Sequence, residues 1–208
     1  MERRYTAPRT QPVRVETRAD GTRTIQGHAA VYYRDGDPGT EFKLMDDLVE
    51  RIEPGAFNRA LTDADDVRAL FNHDINQILG RTTAGTLRLN ADDIGLRYEI
   101  DVPTTPQAEH VVSAIDRGDL TESSFAFMVE DEEFIDTGED QPDIRSISSV
   151  KLFDVGPVTF PAYESTSTAL RAGISDLEQR LDQWRQGLEQ PQISPRLSRA
   201  RLKIAARV

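Results

Sequence analysis

The sequence predicts an α+β protein in which a β-rich body comes before a helical tail. Short segments that alternate apolar and polar residues recur between residues 13 and 160, separated by turns rich in glycine, proline and aspartate. Near residue 170 the apolar residues change to a spacing of three and four, which indicates a helix. We therefore expect a disordered arm at 1–12, one domain at 13–170, and a helical, basic tail at 171–208.

The first elements of the body have the pattern of strands. Residues 13–33 predict a hairpin, because two valines alternate with polar neighbours, Asp20-Gly21 is a turn signal, and an apolar return segment follows. Residues 34–40 are a predicted loop because they are rich in glycine and contain a proline. Residues 41–52 fit either another strand or a short helix. A turn and a short helix are expected in 53–61.

The middle of the body contains a buried strand, a hairpin and the clearest internal helix. The strand is predicted at 67–72. The hairpin joins 86–90 to 96–102 through the turn Asp-Asp-Ile-Gly. The helix is predicted at 106–117, because four apolar residues share one face and a glycine follows as a stop signal.

The last part of the body returns to strands before the tail begins. Strands are predicted at 122–130, 146–154 and 157–160, and the strongly acidic segment 131–143 is predicted to be a loop. In the tail, apolar residues recur at a/d spacing on an otherwise polar helix, which prolines after residue 190 end. These apolar residues are Ile174, Leu177, Leu181, Trp184 and Leu188.

Composition and charge exclude several classes of protein. The chain has 208 residues and a net charge of −11, and an acidic body argues against a nucleic-acid-binding core. The absence of cysteine excludes a disulfide scaffold and a cysteine nucleophile. We expect no membrane span, because no run of about 18 apolar residues occurs, and no secretory signal, because no apolar core follows the N-terminal arginines. Three scattered histidines and the lack of a phosphate-binding glycine loop predict no metal and no cofactor.

Three segments each place one chemically competent side chain beside apolar, strand-like residues. His73 follows a buried strand, and Ser124 lies on the small-residue face of the strand ESSFAF. Asp154 lies in an apolar strand, where a carboxylate needs a partner. A base, a hydroxyl nucleophile and an acid are the groups that acyl transfer on a peptide bond requires. The three residues are far apart in the sequence, so only the fold could bring them together.

Each of these residues also has a simpler interpretation. His73 could be a structural or surface histidine, and Asp154 could pair with an arginine instead of an imidazole. Ser123 is a competing nucleophile on the opposite face of the same strand. His28 lies in a predicted strand and could belong to the core, whereas His110 lies beside the apolar face of the internal helix and is expected to be solvated.

These segments together resemble the prohead protease family of tailed bacteriophages, the enzymes that mature procapsids. The resemblance covers roughly residues 25–170 and depends on the joint order and spacing of several motifs. The motifs are GHAAVYY at 27–33, ERIEPGAFNRAL at 50–61, FNHD at 71–74 followed by ILGR, GLRYEIDVP at 95–103, DRGDLTESSFAF at 116–127 and KLFDVGPVTFPAY at 151–163.

The resemblance implies a fold and a set of roles. The family is similar to the herpesvirus assembly proteases, which have a mostly antiparallel β-barrel surrounded by helices. By this resemblance His73 is the base and Ser124 the nucleophile. The herpesvirus enzymes use a second histidine as the third member, whereas here the corresponding stretch has Asp154, which could orient the imidazole in its place. Oxyanion donors are expected among backbone amides near Gly156 or in the loop that carries Arg81.

The resemblance also implies substrates and a location. The substrates would be the scaffolding segment of the major capsid protein, other internal procapsid proteins and the enzyme itself, inside the procapsid in the host bacterial cytoplasm. Self-association as a dimer or higher oligomer is expected, and residues 171–208 would be a targeting segment or be removed by self-cleavage. Two alternatives stay open: a non-enzymatic capsid assembly factor on the same fold, and a β-barrel binding domain of unknown ligand.

Overall fold

The computed structural model describes residues 1–6, 12–138, 141–160 and 168–189, and these ranges contain eleven strands and three α-helices. The strands are β1 Glu2–Thr6, β2 Arg14–Thr17, β3 Arg23–Val31, β4 Glu41–Met45, β5 Leu48–Ile52, β6 Arg68–Leu70, β7 Ile78–Arg81, β8 Leu87–Ala91, β9 Gly95–Asp101, β10 Glu122–Ile135 and β11 Asp143–Val158. The helices are α1 Asn58–Thr62, α2 Pro106–Asp116 and α3 Thr168–Glu189.

The strands form two sheets, and neither closes into a barrel. The larger sheet has the order β1-β10-β11-β5-β4, with β6 and β7 added beside the second half of β11. The smaller sheet has the order β2-β3-β9-β8. The expected β-barrel is therefore wrong, because within the described ranges β2 and β8 pair with no strand of the larger sheet. The broader α+β, β-rich class is confirmed, since strands hold 46% of the residues and helices 20%.

One apolar core lies between the two sheets and extends under α1 and α2. Phe125 of β10 stacks on Phe127 with 4.7 Å between ring centroids, and it meets Phe57 edge-on at 5.7 Å. All three rings are fully buried. Burial of each such side chain contributes roughly 1.5–3 kcal/mol, so β10 is firmly fixed against the core.

Several local predictions are confirmed. The two hairpins are β2–β3 and β8–β9, the short helix is α1, and the internal helix is α2. Thr105 caps α2 by accepting a hydrogen bond from the Ala108 amide at 3.3 Å, and a proline takes the first helical position. Residues 41–52 form the two strands β4 and β5, so the helical alternative there is wrong.

Two segments that were expected to be irregular form strands. Glu2–Thr6 is strand β1 and pairs with β10, contrary to the disordered arm expected at residues 1–12, although residues 7–11 lie outside the described ranges. The acidic segment 131–143 is not one long loop, because β10 continues to Ile135 and β11 begins at Asp143. The strands predicted separately at 146–154 and 157–160 are one strand up to Val158, because β11 continues through Gly156 and Pro157. The acidic residues are tolerated because Asp131 and Glu133 are exposed, whereas the less exposed Glu132 binds Arg145 at 2.8 Å.

Helix α3 packs against the body through the predicted apolar stripe. Leu177 and Leu181 are buried and form a second, smaller core with Leu48 of β5. Trp184 lies beside Phe134, with 5.7 Å between ring centroids. The stripe is therefore covered by the protein's own sheet over these turns. None of the described helices is long and apolar enough to cross a membrane.

The ends of the stripe and the basic tail are less fully described. Leu188 is 52% exposed at the end of α3, and the side chain of Ile174 lies outside the described set. Arg185 of α3 binds Asp143 at 2.6 Å and Asp47 at 2.8 Å, so the helix is also tied to the acidic body by charge. The basic segment predicted beyond residue 189 lies outside the described residues.

Candidate active site

Ser124 lies on β10, between β1 and β11 in the larger sheet. Tyr5 is opposite it on one side and Gly156 on the other. Alternation along the strand sends the side chains of Ser123 and Phe125 toward the core and that of Ser124 to the other face. Ser124 is only 1% exposed. The hydroxyl is therefore held by a strand that is paired along both of its edges.

His73 lies in the turn that follows β6. Its backbone φ is +56° and that of Asn72 is +55°, a left-handed conformation that asparagine and histidine adopt more readily than most residues. The Asn72 side chain accepts from the Thr159 amide at 2.8 Å and donates to the Thr159 hydroxyl at 3.1 Å. The Asn72 amide also donates to the carbonyl of Pro157 at 3.1 Å. These bonds tie the turn to the end of β11 and fix the imidazole beside the sheet.

Asp154 lies on β11 and is 6% exposed. Its Oδ1 accepts a hydrogen bond from Nδ1 of His73. Such a partner is needed because a buried carboxylate without one is costly. The arginine alternative fails here: Arg68, next to Asp154 in the register of β6 and β11, directs its guanidinium to Asp66 at 3.1 Å.

A close approach of β6 to β11 brings the histidine and the carboxylate together. A Cβ atom added to Gly156 would lie 2.1 Å from the carbonyl oxygen of Leu70, the last residue of β6. No side chain fits in that space, so the position requires glycine. Leu70 is three residues before His73, and Gly156 is two residues after Asp154. The glycine therefore permits the strand contact that sets the distance between the two groups.

The three predicted residues meet in a single chain of hydrogen bonds. His73 Nε2 lies 2.6 Å from Ser124 Oγ, while its Nδ1 bonds to Asp154. With Nδ1 donating to the carboxylate, Nε2 is free to accept the hydroxyl proton. The distance to the hydroxyl is within the range for direct proton transfer. The arrangement can therefore activate the serine oxygen as a nucleophile.

The other candidate residues lie elsewhere. Ser123 is 1% exposed and its hydroxyl is 2.8 Å from that of Tyr98, so it faces the core. His28 is buried and bonds to Asp92 through Nε2 at 2.8 Å. His110 is exposed on α2, as expected, beside a cleft of about 380 Å³ that the His73 turn also lines through Asn72.

The two places where oxyanion donors are expected, Gly156 and Arg81, differ in their surroundings. Arg81 lies at the end of strand β7, and its side chain binds Asp66 through two hydrogen bonds of 2.7 and 2.6 Å. Its amide already donates to the hydroxyl of Thr86 at 3.0 Å. The side chain and the amide of Arg81 therefore already have hydrogen-bond partners. The backbone of Gly156 lies directly opposite Ser124 in the pairing of β10 with β11.

Sequence reasoning missed a buried group of charges next to the serine. Arg4 of β1 binds Glu50 at 2.5 and 2.8 Å, and Glu2 binds Arg145 at 2.7 and 2.8 Å. Glu50 and Arg145 are fully buried and bond to each other at 2.8 Å. Burial alone would raise the pKa of Glu2, but the two guanidiniums outweigh it and lower that pKa to about 2. The only sequence signal was an acidic residue, Glu2, two positions before a basic one, Arg4. Polar segments at chain termini commonly contain such a pair.

A serine hydroxyl, an imidazole and a carboxylate in series are the arrangement of triad serine hydrolases. A family model of the caudovirus prohead serine proteases matches residues 11–180. The chain belongs to this family. No match was found among curated proteins or among solved structures. Within the described ranges, no three acidic or histidine side chains are grouped as metal ligands would be.

Proposed function

We propose that this chain is a serine endopeptidase that matures phage procapsids, with Ser124 as nucleophile, His73 as base and Asp154 as orienting acid. The observation that carries the proposal is the histidine bridge, 2.6 Å from the serine oxygen on one side and bonded to the buried carboxylate on the other. Family membership supports the same activity in general.

The mechanism follows from the hydrogen bonds. His73 Nε2 takes the proton of Ser124 as Oγ attacks the scissile carbonyl, and Asp154 stabilises the imidazolium that forms. The imidazolium then gives its proton to the leaving amine, which leaves an acyl-enzyme. Water, deprotonated by the same imidazole, hydrolyses the ester and restores the serine. Backbone amides near Gly156 would hold the oxyanion.

The proposed substrates are proteins of the procapsid. They are the scaffolding segment of the major capsid protein, other internal procapsid proteins and the enzyme itself, cleaved inside the procapsid in the host cytoplasm. Self-association as a dimer or higher oligomer is part of the proposal. Confinement in a shell would raise the local concentration of substrate and so favour cleavage.

Residues 13–170 would form the protease domain, and residues 171–208 would target the enzyme to the procapsid or be removed by self-cleavage. Leu177 and Leu181 of α3 cover Leu48, so removing α3 would also expose part of the body. The test is therefore a deletion that leaves α3 in place. Removing residues 190–208 should reduce packaging or abolish a self-processing product. Unchanged packaging and unchanged self-processing would contradict a role for this segment.

Co-expression with the major capsid protein tests the proposed function. Intact-mass spectrometry should show defined cleavage of the capsid protein or the enzyme with wild type and none with Ser124→Ala. Ser123→Ala is the matched control, since it removes the neighbouring hydroxyl, and it should still cleave. Cleavage by Ser124→Ala would show that another residue is the nucleophile. Assembled shells without any cleavage would favour the assembly-factor alternative, although the covering of α3 by the body disfavours that alternative.

A further inference from the structure

Strand β1 lies where a peptide would reach the serine. Among the described residues it is the outermost strand of the larger sheet, and it pairs antiparallel with β10, so that Tyr5 is opposite Ser124 and Arg4 is opposite Phe125. The carbonyl oxygen of Arg4 accepts a hydrogen bond from Ser124 Oγ at 2.7 Å. The peptide group between Arg4 and Tyr5 is therefore the one that faces the candidate nucleophile.

This contact competes with the base for one hydrogen atom. A serine hydroxyl has a single hydrogen to donate. Ser124 Oγ has two neighbours, the Arg4 oxygen at 2.7 Å and His73 Nε2 at 2.6 Å. When the hydrogen is donated to Arg4, His73 cannot accept it, and the serine is not activated. The same contact turns the carbonyl oxygen, not its carbon, toward the nucleophile.

The side chains of β1 fix the strand in this position. Glu2 and Arg4 share the inner face of the strand, where Arg4 binds Glu50 and Glu2 binds Arg145. The Arg4 guanidinium also lies over the ring of Phe127, 5.6 Å from its centroid. Arg3 points to the other face, and its side chain has no hydrogen bond or ion pair within the described part of the chain.

The charges beneath β1 stay balanced when β1 leaves. Glu50 and Arg145 remain bonded to each other, and Arg145 also binds Glu132, which pairs with Arg180 of α3. The surface left open then has two carboxylates, two guanidiniums and the unpaired backbone edge of β10. Extended peptides add to such edges as an extra strand.

We propose that β1 is a self-blocking strand that occupies the substrate position on β10. The substrate is an extended peptide with an acidic residue and, two positions later, an arginine or lysine, and it docks antiparallel to β10 after displacing β1. Its basic side chain binds Glu50 and its acidic side chain binds Arg145. This inference rests on the proposed function of Ser124.

The test is the rate at which a fluorophosphonate labels Ser124. The serine oxygen displaces fluoride from phosphorus, forming a P–O bond and releasing hydrogen fluoride, so labelling requires an open, activated hydroxyl. Arg4→Met should label at least about tenfold faster than wild type, because β1 loses its ion pair with Glu50. Arg3→Met, which removes the same charge from the same strand, should label at the wild-type rate.

A peptide with the sequence MERRYT should slow labelling of Arg4→Met, and the same peptide with methionine in place of Arg4 should be much weaker. Equal labelling rates for wild type, Arg3→Met and Arg4→Met would overturn the inference. Equal inhibition by the peptides with and without the arginine would also overturn it. Absence of labelling in every protein, including a chain without residues 1–6, would instead overturn the proposed function and the inference with it.

A measurement on the unaltered chain removes any dependence on how the variants fold. A peptidyl phosphonate with the Glu-x-Arg pattern, once bound to Ser124, should raise amide hydrogen exchange in residues 2–6, because β1 has been displaced. Unchanged exchange there with full occupancy of Ser124 would show that peptides bind without moving β1, and would overturn the inference.

Discussion

Ser123 and Ser124 are neighbours in the chain and equally buried, yet their surroundings differ completely. Ser123 faces the core and meets the hydroxyl of Tyr98, whereas Ser124 lies on the opposite face of the strand and meets His73. The strand's two-residue period alone separates them. A serine thus becomes a candidate nucleophile through the partner that the fold supplies, since burial and local sequence are the same for both.

The largest effect should come from removing the group that orients the partner of Ser124. Asp154→Asn should lower kcat by about 10⁴-fold, because an amide favours the wrong tautomer of His73. Asp92→Asn is the matched control, since Asp92 bonds to His28, which contacts no catalytic hydroxyl, and its kcat should stay within about twofold. Steady-state cleavage of a mapped substrate measures both. Similar losses in the two variants would contradict a special role for Asp154.

The surroundings of Ser124 also depend on the close approach of β6 to β11. Gly156→Ala should lower the free energy of unfolding by roughly 3 kcal/mol, because the new Cβ meets the carbonyl oxygen of Leu70. Gly21→Ala should cost roughly 1 kcal/mol, since its φ of +85° is strained for alanine but nothing lies within 4 Å. Urea unfolding of both variants tests this ranking, and equal costs would contradict it.

Strand β1 pairs with β10 beside Ser124. Its residue Glu2 predicts that the stability of the protein depends on pH. A pKa lowered from 4.5 to about 2 means that the stabilisation is complete above pH 4.5 and is lost as the pH falls toward 2. Glu2→Gln should therefore be less stable than wild type by roughly 2 kcal/mol at pH 5–7. The difference should shrink between pH 4.5 and 2.

Thermal unfolding at a series of pH values measures this difference. Glu133→Gln is the control, because Glu133 is exposed and has no ion pair among the described residues, and its difference from wild type should stay near zero. A Glu2→Gln difference that stays constant down to pH 2 would contradict the lowered pKa.

The smallest effect should come from the Ser123 side. Burial raises the pKa of Tyr98, so its hydroxyl stays protonated and bonds to Ser123. Tyr98→Phe should cost about 1 kcal/mol of stability and leave kcat unchanged. Adding Ser123→Ala should cost less than it does in the wild-type background, because the unpaired hydroxyl is removed. Additive losses in urea unfolding would show that the two hydroxyls do not interact.

Local patterns predicted the parts of this fold that depend on local chemistry. The turn at Asp20-Gly21 and the apolar face of α2 each need only neighbours in the sequence. The two-residue period of a strand is also sufficient to predict that Ser123 and Ser124 lie on opposite faces. The roles of His73 and Ser124 came from family resemblance, because residue types alone left the simpler interpretations open.

The features that the sequence did not predict depend on distant partners. Strand β1 looked disordered because its ion pairs are with Glu50 and Arg145, 46 and 143 residues away from Arg4 and Glu2. The end of β10 and the start of β11 have the sequence pattern of a loop, because their acidic residues obscure the alternation that would indicate two paired strands. The barrel was wrong for a similar reason: closure depends on which edge strands pair, and edges carry no local signal.

Mapping the site of a covalent label shows whether Ser124, activated by His73, is the nucleophile. After exhaustive reaction of the full chain with a fluorophosphonate, tandem mass spectrometry of the peptide that contains both serines should place the adduct on Ser124 alone. His73→Ala should abolish the adduct. An adduct on Ser123, or one on Ser124 that forms equally well without His73, would show that Ser124 is not a nucleophile activated by His73.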